Sequence, residues 1–128
     1  MKKRIMIIDD DRDFLGELNE VLALTGYDVI PVNDSEKAVD LIKKDRPDLI
    51  MLDIKMPKKS GFDVASELKY FSGILDVPII AMSAFYKEDF NYLLSVCGIR
   101  RCLKKPFNPL DAIMEIEKSL GPNAGNTV

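Results

Sequence analysis

The sequence predicts an α/β domain: a parallel sheet of five strands with helices covering both faces. Three observations carry that prediction. Short runs that are apolar at nearly every position alternate with longer stretches whose apolar residues recur at three- and four-residue spacing, the signature of amphipathic helices. Strands that are hydrophobic throughout belong in a sheet buried on both sides. The segments between the strands are long enough for one helix each, as crossovers between parallel strands require.

Residues 5–8 (Ile-Met-Ile-Ile) form the first strand, ending at Asp9, with Asp10 and Asp11 directly behind it. Phe14, Leu15, Leu18, Val21, Leu22 and Thr25 then mark one face of a helix, with Gly26 as its stop. Residues 27–32 are a second strand. Asn33, Asp34 and Ser35 supply turn and capping groups for a helix through Ala38, Val39, Leu41 and Ile42, which Pro47 ends. Residues 48–53 are the central strand, an apolar run that delivers Asp53 to its end.

After the loop at 56–60, Gly61 opens a helix with Val64, Ala65, Leu68 and Phe71 on one side, closed by Ser72 and Gly73. Residues 77–82 are a fourth strand that runs out at Ser83, with Pro78 near its start, where a missing donor matters least. Residues 87–97 are weakly helical, with Phe90, Leu93, Leu94 and Cys97 spaced for one face, and Gly98 breaks the pattern. Residues 99–103 form a short basic strand. Lys105 and Pro106 precede a last helix with Leu110, Ile113, Met114 and Leu120 directed inward. The expected division is one domain over residues 1–121 and a flexible polar tail over 122–128.

The bulk numbers fit such a domain. With 128 residues, 47% hydrophobic and 30% charged, the chain suits a single core without staples. A net charge of −3 gives no reason to expect nucleic acid as a partner. The apolar run after Lys2, Lys3 and Arg4 is too short for a signal peptide, and none approaches a membrane span. Cys97 and Cys102 match neither a disulfide framework nor a zinc site, which points to reduced thiols in the cytoplasm. There is no histidine, so any metal must be held by oxygen and any histidine chemistry must come from another molecule.

Every strand of a parallel sheet ends on the same side, about 4.8 Å from its neighbour. Asp9, Asp10, Asp53, Ser83 and Lys105 therefore share one rim, where open α/β sheets place their chemistry. Crowded carboxylates repel, and protonation or a cation relieves them. With oxygen ligands alone, a hard ion such as Mg²⁺ (or Mn²⁺) is favoured, since it needs only one or two carboxylates beside a phosphoryl oxygen. Asp53 is then placed to act as a nucleophile that forms an aspartyl phosphate. Lys105 offers a compact cation and Ser83 a hydroxyl donor. Each group has a plainer reading by itself: Asp53 as a turn residue, residues 9–11 as a solvated helix start, Ser83 as a satisfied hydroxyl, and Lys105 as a surface lysine.

Together, the motifs resemble those of a two-component response-regulator receiver domain, along roughly residues 4–120. Ile5-Met6-Ile7-Ile8-Asp9-Asp10-Asp11 is similar to that family's acidic first-strand motif. Leu52-Asp53-Ile54-Lys55-Met56-Pro57 with Gly61 is similar to its phosphoacceptor segment and loop. Met82-Ser83-Ala84 resembles its switch motif, and Leu103-Lys104-Lys105-Pro106-Phe107 its closing motif, in which a cis peptide precedes the proline. The resemblance implies the flavodoxin-like strand order 2-1-3-4-5. It further implies Mg²⁺-dependent transfer of a phosphoryl group to Asp53 from a sensor histidine kinase or histidine phosphotransfer protein. The ion would be held by Asp10, Asp53 and the backbone carbonyl of Lys55, with Asp9 assisting through water, while Ser83 and Lys105 sense the new phosphoryl oxygens. Such a chain catalyses its own phosphorylation and slow dephosphorylation in a cytoplasmic phosphorelay, without turning over a free substrate.

The departures from the family carry expectations of their own. Cys102 stands where the family usually has an aromatic switch residue. Lys55 and Phe85 stand two places after Asp53 and Ser83, at positions that govern water access, and their bulk should slow self-hydrolysis. Arg100, Arg101, Lys104 and Lys105 make that end basic, suited to an acidic partner or simply to solvent. The absence of residues beyond 128 favours a stand-alone regulator or phosphorelay carrier. The alternative is a degenerate receiver that binds partners without being phosphorylated, which the intact Asp9, Asp10, Asp53 and Lys105 argue against. A flavodoxin-like cofactor site would want glycines rather than acids after the first strand, and an aspartate-nucleophile phosphohydrolase would want an acid where Lys55 stands.

Overall fold

The computed structural model describes residues 2–71, 76–84 and 88–121, and the side chains of 88–90 are not described. Its elements are β1 (Arg4–Ile8), α1 (Arg12–Leu24), β2 (Asp28–Val32), α2 (Ser35–Asp45), β3 (Leu49–Asp53), α3 (Gly61–Leu68), β4 (Ile79–Ser83), α4 (Glu88–Val96), β5 (Arg101–Lys104) and α5 (Pro109–Leu120). The five strands form one sheet in the order β2-β1-β3-β4-β5, and every pairing is parallel.

Alternation along the strands sorts the core into two layers. Met6, Ile8, Ile50, Leu52 and Ala81 face α2, α3 and the buried Leu94 of α4. Ile5, Ile7, Leu49, Met51, Ile80 and Met82 face α1 and α5. All of β3 is buried, because it has a strand on each side and helices above and below. Each fully buried Leu, Ile or Met contributes about 1.5–3 kcal/mol over its exposed state. Pro31 is tolerated in β2 because β2 is an edge strand.

Helix boundaries follow their caps. Asp11 opens α1, its carboxylate accepting the N–H groups of Asp13 and Phe14. Asp34 accepts from Glu36 at the start of α2, and Arg46 ends that helix in the left-handed region at φ 46°. Ser60 with Asp63, and Asn108 with Asp111, form reciprocal capping boxes on α3 and α5. Gly26, at φ 100°, follows α1 where a left-handed residue is needed.

Three expectations shift. β4 begins at Ile79 rather than at residue 77, and the Pro78 carbonyl accepts the Ile50 N–H just ahead of it. β5 begins at Arg101 rather than at residue 99. Ile99 is buried and donates its N–H to Leu94 at 2.8 Å, so it closes α4 instead of joining the sheet. On α5, Ala112 and Ile116 are buried, whereas Leu110 is 63% and Met114 54% exposed. Helical periodicity allowed two adjacent stripes, and small Ala112 lets α5 approach the sheet on the other one. Ser72, Gly73, Phe85 and the tail at 122–128 lie outside the described residues.

Candidate functional site

The strand register brings the acidic and cationic groups to one end of the sheet. Ile8 pairs with Leu52, so Asp9 and Asp53, each one residue further along, stand level on neighbouring strands. Asp53 pairs with Met82 and Ser83 with Lys104, so Ser83 and Lys105 follow one step beyond. β1 and β3 lie at the point where the strand order reverses direction, the crevice in which open sheets of this kind bind ligands.

Carboxylate oxygens of Asp9, Asp10 and Asp53 lie within 4.8 Å of one another. Asp9 is fully buried, Asp53 nearly so, and Asp10 exposed. The Lys105 ammonium donates to Asp9 Oδ2 at 2.5 Å and stands 3.8 Å from Asp53 Oδ2. The same ammonium lies 4.1 Å from the centre of the Phe14 ring, whose edge-to-face contact with Phe107 is at 5.6 Å. The Lys105–Pro106 peptide is cis. The Lys105 N–H donates to the Ser83 carbonyl at 2.8 Å, and Ser83 is buried. Lys55 donates its backbone N–H to Asp53 Oδ1 at 3.3 Å, and the residue is exposed.

The consecutive aspartates have separate tasks. Asp11 caps α1, Asp9 accepts the Asp11 N–H at 2.9 Å and the Lys105 ammonium, and Asp10 reaches solvent at the mouth. Burial, and then the charge of Asp9, push the Asp53 carboxyl up to about 7; Lys105 and the Lys55 N–H pull it down, and Asp10 adds to the rise. One ammonium closer to Asp9 than to Asp53 leaves Asp53 under-compensated. That imbalance, and a donor set made only of oxygen, fit a divalent hard cation among Asp9, Asp10 and Asp53.

Gly61 fixes how the following loop returns to the strand. Its N–H donates to the Ile54 carbonyl at 2.8 Å. A Cβ at that position would lie 2.5 Å from the Asp53 carbonyl oxygen and 2.8 Å from Ile54 Cα. Only glycine lets α3 start this close to the strand end that carries Asp53.

Two contributors escape a sequence reading. Phe14 shares the spacing of the α1 core residues, so nothing local marks it as the shelf for Lys105. Ser35 reads as a helix-start residue, yet its buried hydroxyl bonds to the loop after β3; the partners are more than twenty places away.

Comparison with known proteins follows the same lines. The family model described as response regulator receiver domain matches residues 5–117. Over 119 residues the chain is 34% identical to the probable transcriptional regulator ycf27 of Porphyridium aerugineum, covering 93% of this chain and 48% of that one. Over 117 residues it is 35% identical to the transcriptional regulatory protein CpxR of Escherichia coli K12, covering 91% and 49%. The chain thus spans about half the length of these curated relatives. In structure it is similar to the chemotaxis protein CheY4 of Vibrio cholerae, with a TM-score of 0.89 and 23% identity over 93% of this chain and 99% of that one.

Proposed function

This chain belongs to the response regulator receiver domain family, and on that premise we propose that its residues 1–121 form a phosphoacceptor switch in which Asp53 is the nucleophile. The single observation that carries the reading is the convergence of Asp9, Asp10 and Asp53 within 4.8 Å, with Lys105 between Asp9 and Asp53. Receiver domains interact with histidine kinases or phosphotransfer proteins; a chain with no histidine of its own takes its phosphoryl group from such a partner in the cytoplasm.

An Asp53 oxygen attacks phosphorus, the P–O bond forms as the P–N bond of the donor phosphohistidine breaks, and the leaving imidazole takes a proton. Lys105 offsets charge on the transferring group, and the Ser83 hydroxyl is one step along the rim to donate to a phosphoryl oxygen. Asp9, Asp10, Asp53 and the Lys55 carbonyl would hold Mg²⁺, which when bound neutralises carboxylate and phosphoryl charge. Once Asp53 carries an acyl phosphate, the carboxylate charge that competed with Asp9 for Lys105 is replaced by charge on the phosphoryl oxygens, and the ammonium is free to follow them. That movement ties the site to β5 and the faces flanking it. Among the described residues no helix is long and apolar enough to cross a membrane.

The test is intact mass after incubation with acetyl phosphate, with and without Mg²⁺, for the wild type and Asp53→Asn. One phosphoryl mass is expected on the wild type only when Mg²⁺ is present. Metal-independent label, acid-stable label, or label retained by the variant would overturn the assignment.

A further inference from the structure

We propose that Ser35, the first residue of α2, is a positioning residue that holds the loop carrying the Lys55 carbonyl in the conformation that binds the metal; this rests on the phosphoacceptor reading above. Ser35 is 4% exposed. Its hydroxyl donates to the Pro57 carbonyl at 2.9 Å and accepts the Lys59 N–H at 3.3 Å, using both halves of its hydrogen-bonding capacity. One side chain therefore grips the loop on either side of Lys58.

Lys58 is where the loop most needs gripping. It is not glycine, yet its φ of 70° lies in the left-handed region, a conformation that an L-residue keeps only when its surroundings impose it. Glu36, next to Ser35, adds an exposed ion pair to the Lys58 ammonium at 3.8 Å, so two consecutive residues of α2 address the same turn. The loop is anchored at its near end by the Lys55 N–H on Asp53 and at its far end by the Gly61 N–H on Ile54. Between those anchors, the buried Ser35 hydroxyl holds it by two hydrogen bonds. Removing the hydroxyl leaves both anchors and the fold intact but lets residues 55–59 sample other turns, so the cation must order the loop when it binds.

Affinity then falls by the fraction of time the loop spends in the competent conformation. The rate with metal saturating is unchanged, because the bound geometry is the same.

The experiment compares the wild type, Ser35→Ala and Ser35→Thr as full chains in three measurements: Mg²⁺ affinity by calorimetry without phosphodonor, amide hydrogen exchange at Lys59 in EDTA, and phosphorylation rate against Mg²⁺ concentration. For Ser35→Ala the expected result is about fivefold weaker Mg²⁺ binding, equivalent to ~1 kcal/mol. The half-saturating Mg²⁺ for phosphorylation should rise by the same factor at an unchanged maximal rate, with faster exchange at Lys59. Ser35→Thr, which keeps the hydroxyl, should stay within about twofold of wild type. The proposal is overturned if Ser35→Ala melts lower yet binds Mg²⁺ like wild type, or if its maximal rate falls at unchanged Mg²⁺ affinity. It is equally overturned if the threonine variant is as impaired as the alanine one. A wild type that binds no Mg²⁺ sinks the phosphoacceptor reading itself; wild-type Mg²⁺ binding unaltered by Ser35→Ala sinks only this one.

Discussion

Replacing Asp53 with asparagine should stabilise the protein in the absence of divalent ions, by an amount that grows as pH rises from about 4 to about 7. The Asp53 carboxyl is raised from 3.8 to about 7, first by burial and then by the charge of Asp9. A group whose folded pKa is raised holds its proton more tightly in the folded state. Its contribution to stability is therefore fully present below about pH 4, fades as pH rises, and is lost above about pH 7. At about 1.4 kcal/mol per pK step, the whole rise corresponds to roughly 4 kcal/mol. The Lys105 ammonium can shift from Asp9 toward an ionised Asp53, so about half of that, ~2 kcal/mol, is expected to remain. Asparagine keeps the shape and an oxygen for the Lys55 N–H while removing the charge. Urea unfolding in EDTA should give the variant ~2 kcal/mol over wild type at pH 8, falling to ~0.5 kcal/mol at pH 4, where Asp53 is neutral in the folded protein and nearly half neutral in the unfolded chain. Equal stability at pH 8, or the same gain at both pH values, would refute the electrostatic argument; Mg²⁺ should shrink the gain at pH 8.

Three further substitutions probe the rest of the site. Gly61→Ala places a Cβ 2.5 Å from the Asp53 carbonyl and should lower stability by ~2 kcal/mol and abolish phosphorylation, read by denaturation and intact mass; normal labelling would show that the loop can move aside. Phe14→Leu removes the ring under Lys105 and should slow phosphorylation about threefold, in line with a cation–π contact of ~0.5–1 kcal/mol, without changing Mg²⁺ affinity. Lys55→Asn opens the approach to the phosphoryl group and should shorten its lifetime roughly tenfold, or ~1.4 kcal/mol of barrier; a wild-type lifetime equal to or shorter than the variant's would refute the shielding role of Lys55.

The parts legible in the sequence are those with local causes. β1 and β3 are continuous apolar runs that end in aspartate, so the rim at Asp9 and Asp53 follows once the sheet is read as parallel. The cap at Asp34 follows from residue chemistry. What escaped depends on contacts between distant segments. Ile99 reads as strand, but its N–H goes to Leu94 and it packs beneath α4. Leu110 and Met114 fit a helical stripe as well as Ile113 and Ile116 do, and the neighbouring layer selects between them. Phe14 and Ser35 gain their significance from Lys105 and Pro57, 91 and 22 places along the chain.

The most direct measurement of the central claim is borohydride reduction of the protein after incubation with acetyl phosphate and Mg²⁺, followed by peptide mapping. Reduction of an acyl phosphate converts aspartate to homoserine and leaves a serine phosphoester intact. Homoserine at position 53, and none there when Mg²⁺ is omitted, is the predicted result. Homoserine at position 9 or 10, a phosphoester at Ser83, or conversion of Asp53 without metal would contradict it.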